Sequence, residues 1–123
     1  MISFKDFNIE DGIPIYLQIL RYIKRGVVSG VIRDSDELPS RRVLSALLGV
    51  NPNTVQKAYK ALEDEGLIES RAGAKSYMAL DSTRIDELRR ELLSNDALGV
   101  INAMKQMGMS KEEALDLIRQ YWD

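Results

Sequence analysis

A chain of 123 residues, 45% of them hydrophobic, fits one modest domain or one small domain with an appendage. It contains no cysteine and no histidine, which excludes disulfides, thiol redox chemistry, Cys/His zinc sites and every histidine-based catalytic triad. The net charge of −2 is unevenly spread: residues 38–60 hold Arg41, Arg42, Lys57 and Lys60 with no acid, whereas 81–123 hold nine acids against six bases.

Met1 to Gly12 has no long apolar run behind a basic start, so neither a signal peptide nor a membrane span is expected, and a cytoplasmic protein follows. This stretch reads as a loose arm. Phe4, Phe7 and Ile9 fit either packing on the body or reaching a second subunit, and the sequence leaves both open. Pro14 then opens a helix running to Ser29 or Gly30, with Tyr16, Ile19, Leu20, Ile23 and Val27 as its buried stripe and Arg21, Lys24 and Arg25 outside. An acidic turn, Asp34 to Glu37, leads to Leu38 and Pro39, where a short strand is expected.

Ser40 caps a short amphipathic helix to Leu48, whose apolar side is Val43, Leu44, Leu47 and Leu48. Gly49 and Val50 make a tight connection to a second helix with Asn51 as N-cap and Pro52 in the first helical position. Val55, Ala58, Tyr59 and Leu62 recur at three- and four-residue spacing as its buried stripe, and Gly66 is expected just past its end. Its opposite face begins with Asn53, Thr54, Gln56 and Lys57. These polar and cationic side chains, in the first turn and a half, suit contacts with bases and phosphates, and the pair of helices carries a helix-turn-helix signature. Phosphate neutralisation is short-ranged at cellular salt, so a local basic face suffices despite the acidic total.

Two alternating runs, Leu67 to Ser70 and Ser76 to Leu80, flank a turn around Arg71 to Lys75 and predict a hairpin with a basic tip. From Asp81 the pattern is wholly helical. Ser82 or Thr83 caps a helix bearing Ile85, Leu88 and Leu92, and the stripe steps to Leu93, Ala97, Val100, Ile101 and Met104. One curved long helix is favoured over two with a break. Gly108 ends it, and Ser110 to Glu113 is a capping box opening a last helix with Ala114, Leu115, Ile118 and Trp122, so that the tail forms a helical hairpin. The fold class is mainly α with one small β hairpin: an N-terminal arm (1–12), a winged helix-turn-helix (13–80) and a helical dimerisation region (81–123).

The residues resemble the GntR family of bacterial transcription regulators. The likeness rests on P-I-Y-L-Q-I (Pro14 to Ile19), L-P-S-R-R (Leu38 to Arg42), L-G-V-N-P-N-T-V-Q-K-A-Y (Leu48 to Tyr59), L-E-x-E-G-L-I (Leu62 to Ile68) and R-x-G-x-x-S-Y (Arg71 to Tyr77). The tail, with M-G-M-S-K-E-E-A-L-D-L-I, looks like the short two-helix dimerisation region of the YtrA-type subfamily. The resemblance implies that Ser40, Arg41 and Arg42 grip phosphate or base edges. It implies that Asn51, Asn53, Thr54, Gln56 and Lys57 read the major groove, and that Gly73 lies at the minor groove. Pro52 and Gln56 stand where other branches have arginines, so those contacts do not carry over. Lys75 occupies the second glycine position of the common G-K-G wing, which assigns it to phosphate instead.

Arg41 and Arg42 sit at a helix N-terminus, where the dipole favours anions, so a phosphate completes the arrangement. Gln56 can read adenine bidentately, whereas Thr54 can serve the cap and Tyr59 reads as core. The two tail helices cannot bury both apolar faces by themselves, so the stripe packs either on the first helix of its own chain or on a second subunit; a homodimer through Ile85, Leu88, Leu92, Ile101, Met104, Leu115, Ile118 and Trp122 is the favoured reading. Met104, Met107 and Met109 read as adaptable packing. The expected partners are palindromic double-stranded DNA and a second copy, with no cofactor, metal or membrane, and with any small-molecule effector unknown. Occupying a promoter would block polymerase, so repression is expected, and the resemblance implies control of transport or envelope-stress genes. The rival classes are a protein-interaction winged helix and an enzyme; for the latter, Glu63, Asp64, Glu65, Glu112 and Glu113 read as solvated helix surface.

Overall fold

The computed structural model describes residues 1–71 and 75–123. Among the described residues, five helices and one strand pair follow in the order α1 (Ile15–Ser29), α2 (Arg41–Leu48), α3 (Pro52–Asp64), β1 (Ile68–Arg71), β2 (Lys75–Met78), α4 (Ser82–Gln106) and α5 (Lys111–Trp122). Two compact units divide the chain, Met1–Leu88 and Arg89–Asp123.

In the first unit, helices α1 and α2 pack against α3, and the stripe expected on α3 is fully buried: Val55, Ala58, Tyr59 and Leu62 are each 0% exposed. Ile19, Ile23, Val27 and Leu44 meet them from the other two helices, with Leu38, Leu67, Ile68 and Met78 closing the core from the hairpin side. The link between α2 and α3 is short because Gly49 turns left-handed, φ 67°, letting its amide and that of Val50 return to the Ser45 carbonyl. Past α3 the expected Gly66 adopts φ 74°, and a Cβ there would stand 2.8 Å from the Arg84 guanidinium, which donates to the Glu65 carbonyl.

Strands β1 and β2 pair antiparallel in the register Ile68 to Met78 through Arg71 to Lys75, so the strands extend one residue further into the turn than the alternation predicts. The expected strand before Leu38 is a single bridge, Glu37 to Tyr77, extended by bonds between the Asp36 carbonyl and Met78 amide and between the Leu38 amide and Ser76 carbonyl. The arm packs on the body. Ile2 and Phe4 are buried, Phe4 stacks on Tyr22 at 4.9 Å between ring centres, and the Ile2 amide donates to the Glu37 carbonyl. Gln18, which the apolar stripe passed over, pins the same arm: its amide group exchanges bonds with the Glu10 backbone and donates to the Ile13 carbonyl.

Four expectations need correction here. Pro14 is the N-cap of α1 and not its first helical residue. Lys24 does not face outward: its side chain is 14% exposed and pairs with Glu65 at 2.9 Å, joining α1 to the end of α3. Val43 and Leu47 are 53% and 65% exposed, because α2 buries only the turn carrying Leu44 and Ser45 against its neighbours. The cap of α4 is Asp81, whose carboxylate accepts from the Arg84 amide at 2.7 Å, so Ser82 begins the helix proper.

Helix α4 is continuous for 25 residues, as favoured from the sequence, and Gly108 follows it with φ 78°. In the second unit Ser110 caps α5 by accepting from the Glu113 amide, while its hydroxyl meets the Glu113 carboxylate. No residue of α5 is buried, and Leu115, Ile118 and Trp122 on its apolar side are exposed in the single chain. No helix among the described residues is long and apolar enough to cross a membrane.

Candidate nucleic-acid interface

The candidate site is the surface formed by the starts of α2 and α3. Ser40 accepts from the Val43 amide at 3.1 Å, which fixes the first turn of α2 and places Arg41 and Arg42 in it. No acid lies in that turn, so its amides and both guanidiniums present positive charge together. Arg42 is exposed. Arg41 is half-buried, its guanidinium carbon 5.3 Å from the centre of the Tyr59 ring, with a buried Nε that lacks a hydrogen-bond partner. The aromatic face holds the arginine where charge alone would not.

Tyr59 does more than fill the core. Its hydroxyl donates to the Pro39 carbonyl at 2.6 Å and ties α3 to the segment that launches α2. Burial drives its ionisation far above the ordinary tyrosine range, opposed by a smaller pull from Arg41. Below the ordinary value, near pH 10, folded and unfolded chains both keep this proton. Above it only the unfolded chain releases it, so stability falls as pH rises, by up to about 1.4 kcal/mol per pH unit. Urea unfolding between pH 9 and 11.5 is expected to show this slope, reduced in Tyr59→Phe. That variant also loses about 1–3 kcal/mol at every pH for the unpaired Pro39 carbonyl. Burial and Asp6 raise Tyr22 as well, so the difference between wild type and variant, not either curve alone, is the test.

At the N-cap of α3, Asn51 Oδ1 accepts from the Asn53 amide at 2.8 Å, so that oxygen serves the cap while the side-chain amide nitrogen takes no part in it. Asn53, Gln56 and Lys57 are exposed and Thr54 is half-buried. Lys60, counted with the basic face from sequence, instead pairs with Asp64 at 2.9 Å along the helix, which raises its proton affinity. Lys75 is exposed at the start of β2 opposite Arg71. Arg71 is held by Glu69 at 2.7 Å and by the Tyr77 ring, its guanidinium carbon 4.3 Å from the ring centre. Gly73 lies outside the described residues.

Sequence reasoning missed one member of this surface. Tyr16, assigned to the buried stripe of α1, is only half-buried, and its ring lies beneath Lys57 with the ammonium 4.0 Å from the centre. Helical periodicity could not find it, because the contact joins two helices.

Of the residues expected in a dimer interface, Leu88 is 4% exposed and belongs to the core of its own chain, while Ile85, Leu92 and Met104 are half-buried. Ile101, Leu115, Ile118 and Trp122 are 43%, 39%, 39% and 81% exposed. Ile101, Met104, Met109, Ala114, Leu115 and Ile118 line a groove of about 370 Å³ between the end of α4 and α5.

The family model for bacterial regulatory proteins of the gntR family matches residues 15–77. The HTH-type transcriptional regulator YhcF of Bacillus subtilis is 34% identical over 94% of this chain and 96% of its own. The HTH-type transcriptional repressor YtrA of the same organism is 33% identical over 87% of this chain and 83% of its own. A GntR family transcriptional regulator from Listeria monocytogenes superposes with a TM-score of 0.82 at 33% identity, covering 91% of this chain and 98% of that one. The AraR DNA-binding domain in complex with operator ORR3 superposes with a TM-score of 0.51 at 28% identity, over 58% of this chain and 87% of that one. Matched across the helix-turn-helix and hairpin by the family model and over most of its length by full-length regulators, the chain belongs to the gntR family of DNA-binding transcriptional regulators.

Proposed function

We propose that the protein is a homodimeric repressor that binds an inverted-repeat operator, placing the start of each α3 in successive major grooves with the hairpins alongside. The observation that carries the DNA-reading part is the acid-free surface where Arg41, Arg42, Asn53, Gln56 and Lys57 emerge from two adjoining helix starts. The dimer rests on α5, which has an apolar side and no buried residue; a helix of twelve residues is marginal in water without a packing partner. Two linked reading units also supply the affinity that one small module lacks. Repression is supported by the name of the YtrA relative, and control of transporter genes by the family resemblance alone. A small-molecule signal, if one acts, changes the spacing of the two reading units through the dimer.

In this reading Arg42 and Arg41 position the protein on phosphates, Ser40 caps the helix that carries them, and Lys75 meets phosphate beside the groove. Asn53 and Gln56 read base edges, and Asn51 and Thr54 shape the helix start. Titration against the DNA upstream of its own gene, at two salt concentrations and with scrambled competitor, tests it. Competitor-resistant binding with two protomers per site supports the proposal; binding that ignores salt points to a protein-interaction module. Arg42→Ala is expected to weaken binding to all sequences and lower the salt slope by about one, whereas Gln56→Ala relaxes preference at particular bases by about 1–3 kcal/mol. Equal losses on specific and scrambled DNA for both variants would refute the division of labour.

A further inference from the structure

A cleft of about 610 Å³ lies between the start of α1 and the first turn of α3; its α3 side belongs to the residues expected to face DNA, whereas Tyr16 on its α1 side has no role in that reading. Its walls include Pro14, Tyr16, Asn53, Thr54 and Lys57, and none of the residues lining it is acidic. The single charge facing it is the Lys57 ammonium, 4.0 Å from the centre of the Tyr16 ring. No ion pair among the described residues involves Lys57, although Lys24, Lys60, Arg71 and Arg119 all take carboxylate partners. A cation supported by an aromatic face and surrounded by amide and hydroxyl groups suits one singly charged, oxygen-rich anion.

We propose that this cleft seats one backbone phosphate of the bound DNA, with Lys57 as its cation and Tyr16 as the positioning residue that holds Lys57 there. The assignment rests on the reading of α3 as the element that enters the groove. It moves Lys57 from base reading to phosphate anchoring. A lysine on four rotatable bonds loses considerable freedom on binding, and the Tyr16 ring restricts it beforehand. The anchor stands one turn along α3 from the helix start and reaches across to α1, so it fixes the angle at which α3 lies in the groove. Base selection is left to Asn53 and Gln56.

The test uses the full chain and a duplex carrying the site that the wild type selects from a random pool, with a scrambled duplex beside it, titrated at several salt concentrations. Lys57→Met is expected to lower the salt slope by about one and to weaken both duplexes by the same factor. Tyr16→Leu is expected to weaken binding about two- to five-fold in the wild type and to have no further effect in Lys57→Met, while Tyr16→Phe, which keeps the ring, retains wild-type affinity. One neutral methylphosphonate linkage, moved along the duplex, is expected to find a position whose cost disappears in Lys57→Met. Additive effects of Tyr16→Leu and Lys57→Met, or an unchanged salt slope with altered base preference in Lys57→Met, overturn the proposal. Lys57 is exposed, so its variant folds and its salt slope decides the matter even if Tyr16→Leu unfolds. A wild type that binds neither duplex overturns the DNA-reading function itself, a result distinct from wild-type binding with additive variants.

Discussion

Ile118→Asp is expected to convert the proposed dimer to single chains and to lower affinity for a two-half-site operator by about 100-fold or more, leaving only weak binding to isolated half-sites. Ile118 is 39% exposed on α5 and lines the same groove as Ile101, Met104 and Leu115. Burying a carboxylate in such an interface without a cation costs several kcal/mol, more than a helix pair of this size can offset. The compact unit Met1–Leu88 contains none of these side chains, so its thermal transition persists in the variant. Sedimentation gives the mass and operator titration the affinity. The sole tryptophan, Trp122, supplies an independent signal: it is 81% exposed in the single chain, and its emission shifts to the blue on association and back on dilution. A wild type that sediments as one chain at micromolar concentration, or an Ile118→Asp protein that remains dimeric, refutes the assignment of this face.

The second large effect concerns stability. Leu44 is 0% exposed and anchors α2 to α3, so Leu44→Ala is expected to cost about 2–5 kcal/mol. For a unit of this size that corresponds to a fall of roughly 10–25 °C in the midpoint of thermal unfolding. The neighbouring Val43→Ala, at a site 53% exposed, is expected to stay within about 0.5 kcal/mol. Both belong to the apolar side of the helix as read from sequence, and calorimetry of the two variants separates pattern from burial. A comparable loss in both would mean that α2 buries a wider face than its exposures indicate.

That contrast shows where sequence was sufficient and where it was not. Caps, turns and stripes are local, and Ser40, Asn51, Gly66 and Ser110 stand in the roles their chemistry predicted. The buried stripe of α3 was legible in full because that helix is covered from several sides. A helix covered on one narrow side reveals only its spacing, and Val43 and Leu47 met the spacing without finding a neighbour. Side chains whose contacts lie across the fold were misjudged for the same reason. Lys24 reaches Glu65, Gln18 holds the arm and Tyr16 lies under Lys57, and none of these distances is encoded in a period of 3.6. The residues proposed to face bases were legible as a polar cluster, but not which of them are tied into caps, since Asn51 Oδ1 accepts from the Asn53 amide.

The arm that runs past Glu37 has a consequence for handling the protein. A two-stranded ribbon is marginal by itself and leaves unpaired amides and carbonyls along both margins, an invitation to strand addition from another molecule. Here Glu37 lies against β2 at Tyr77, and the Ile2 amide closes on Glu37 in turn, so that margin is sheathed by irregular backbone that offers no repeating ladder to extend. Trimming the arm would uncover this margin together with the greasy underside left by Ile2 and Phe4, and solubility on storage would then decline before any loss of fold.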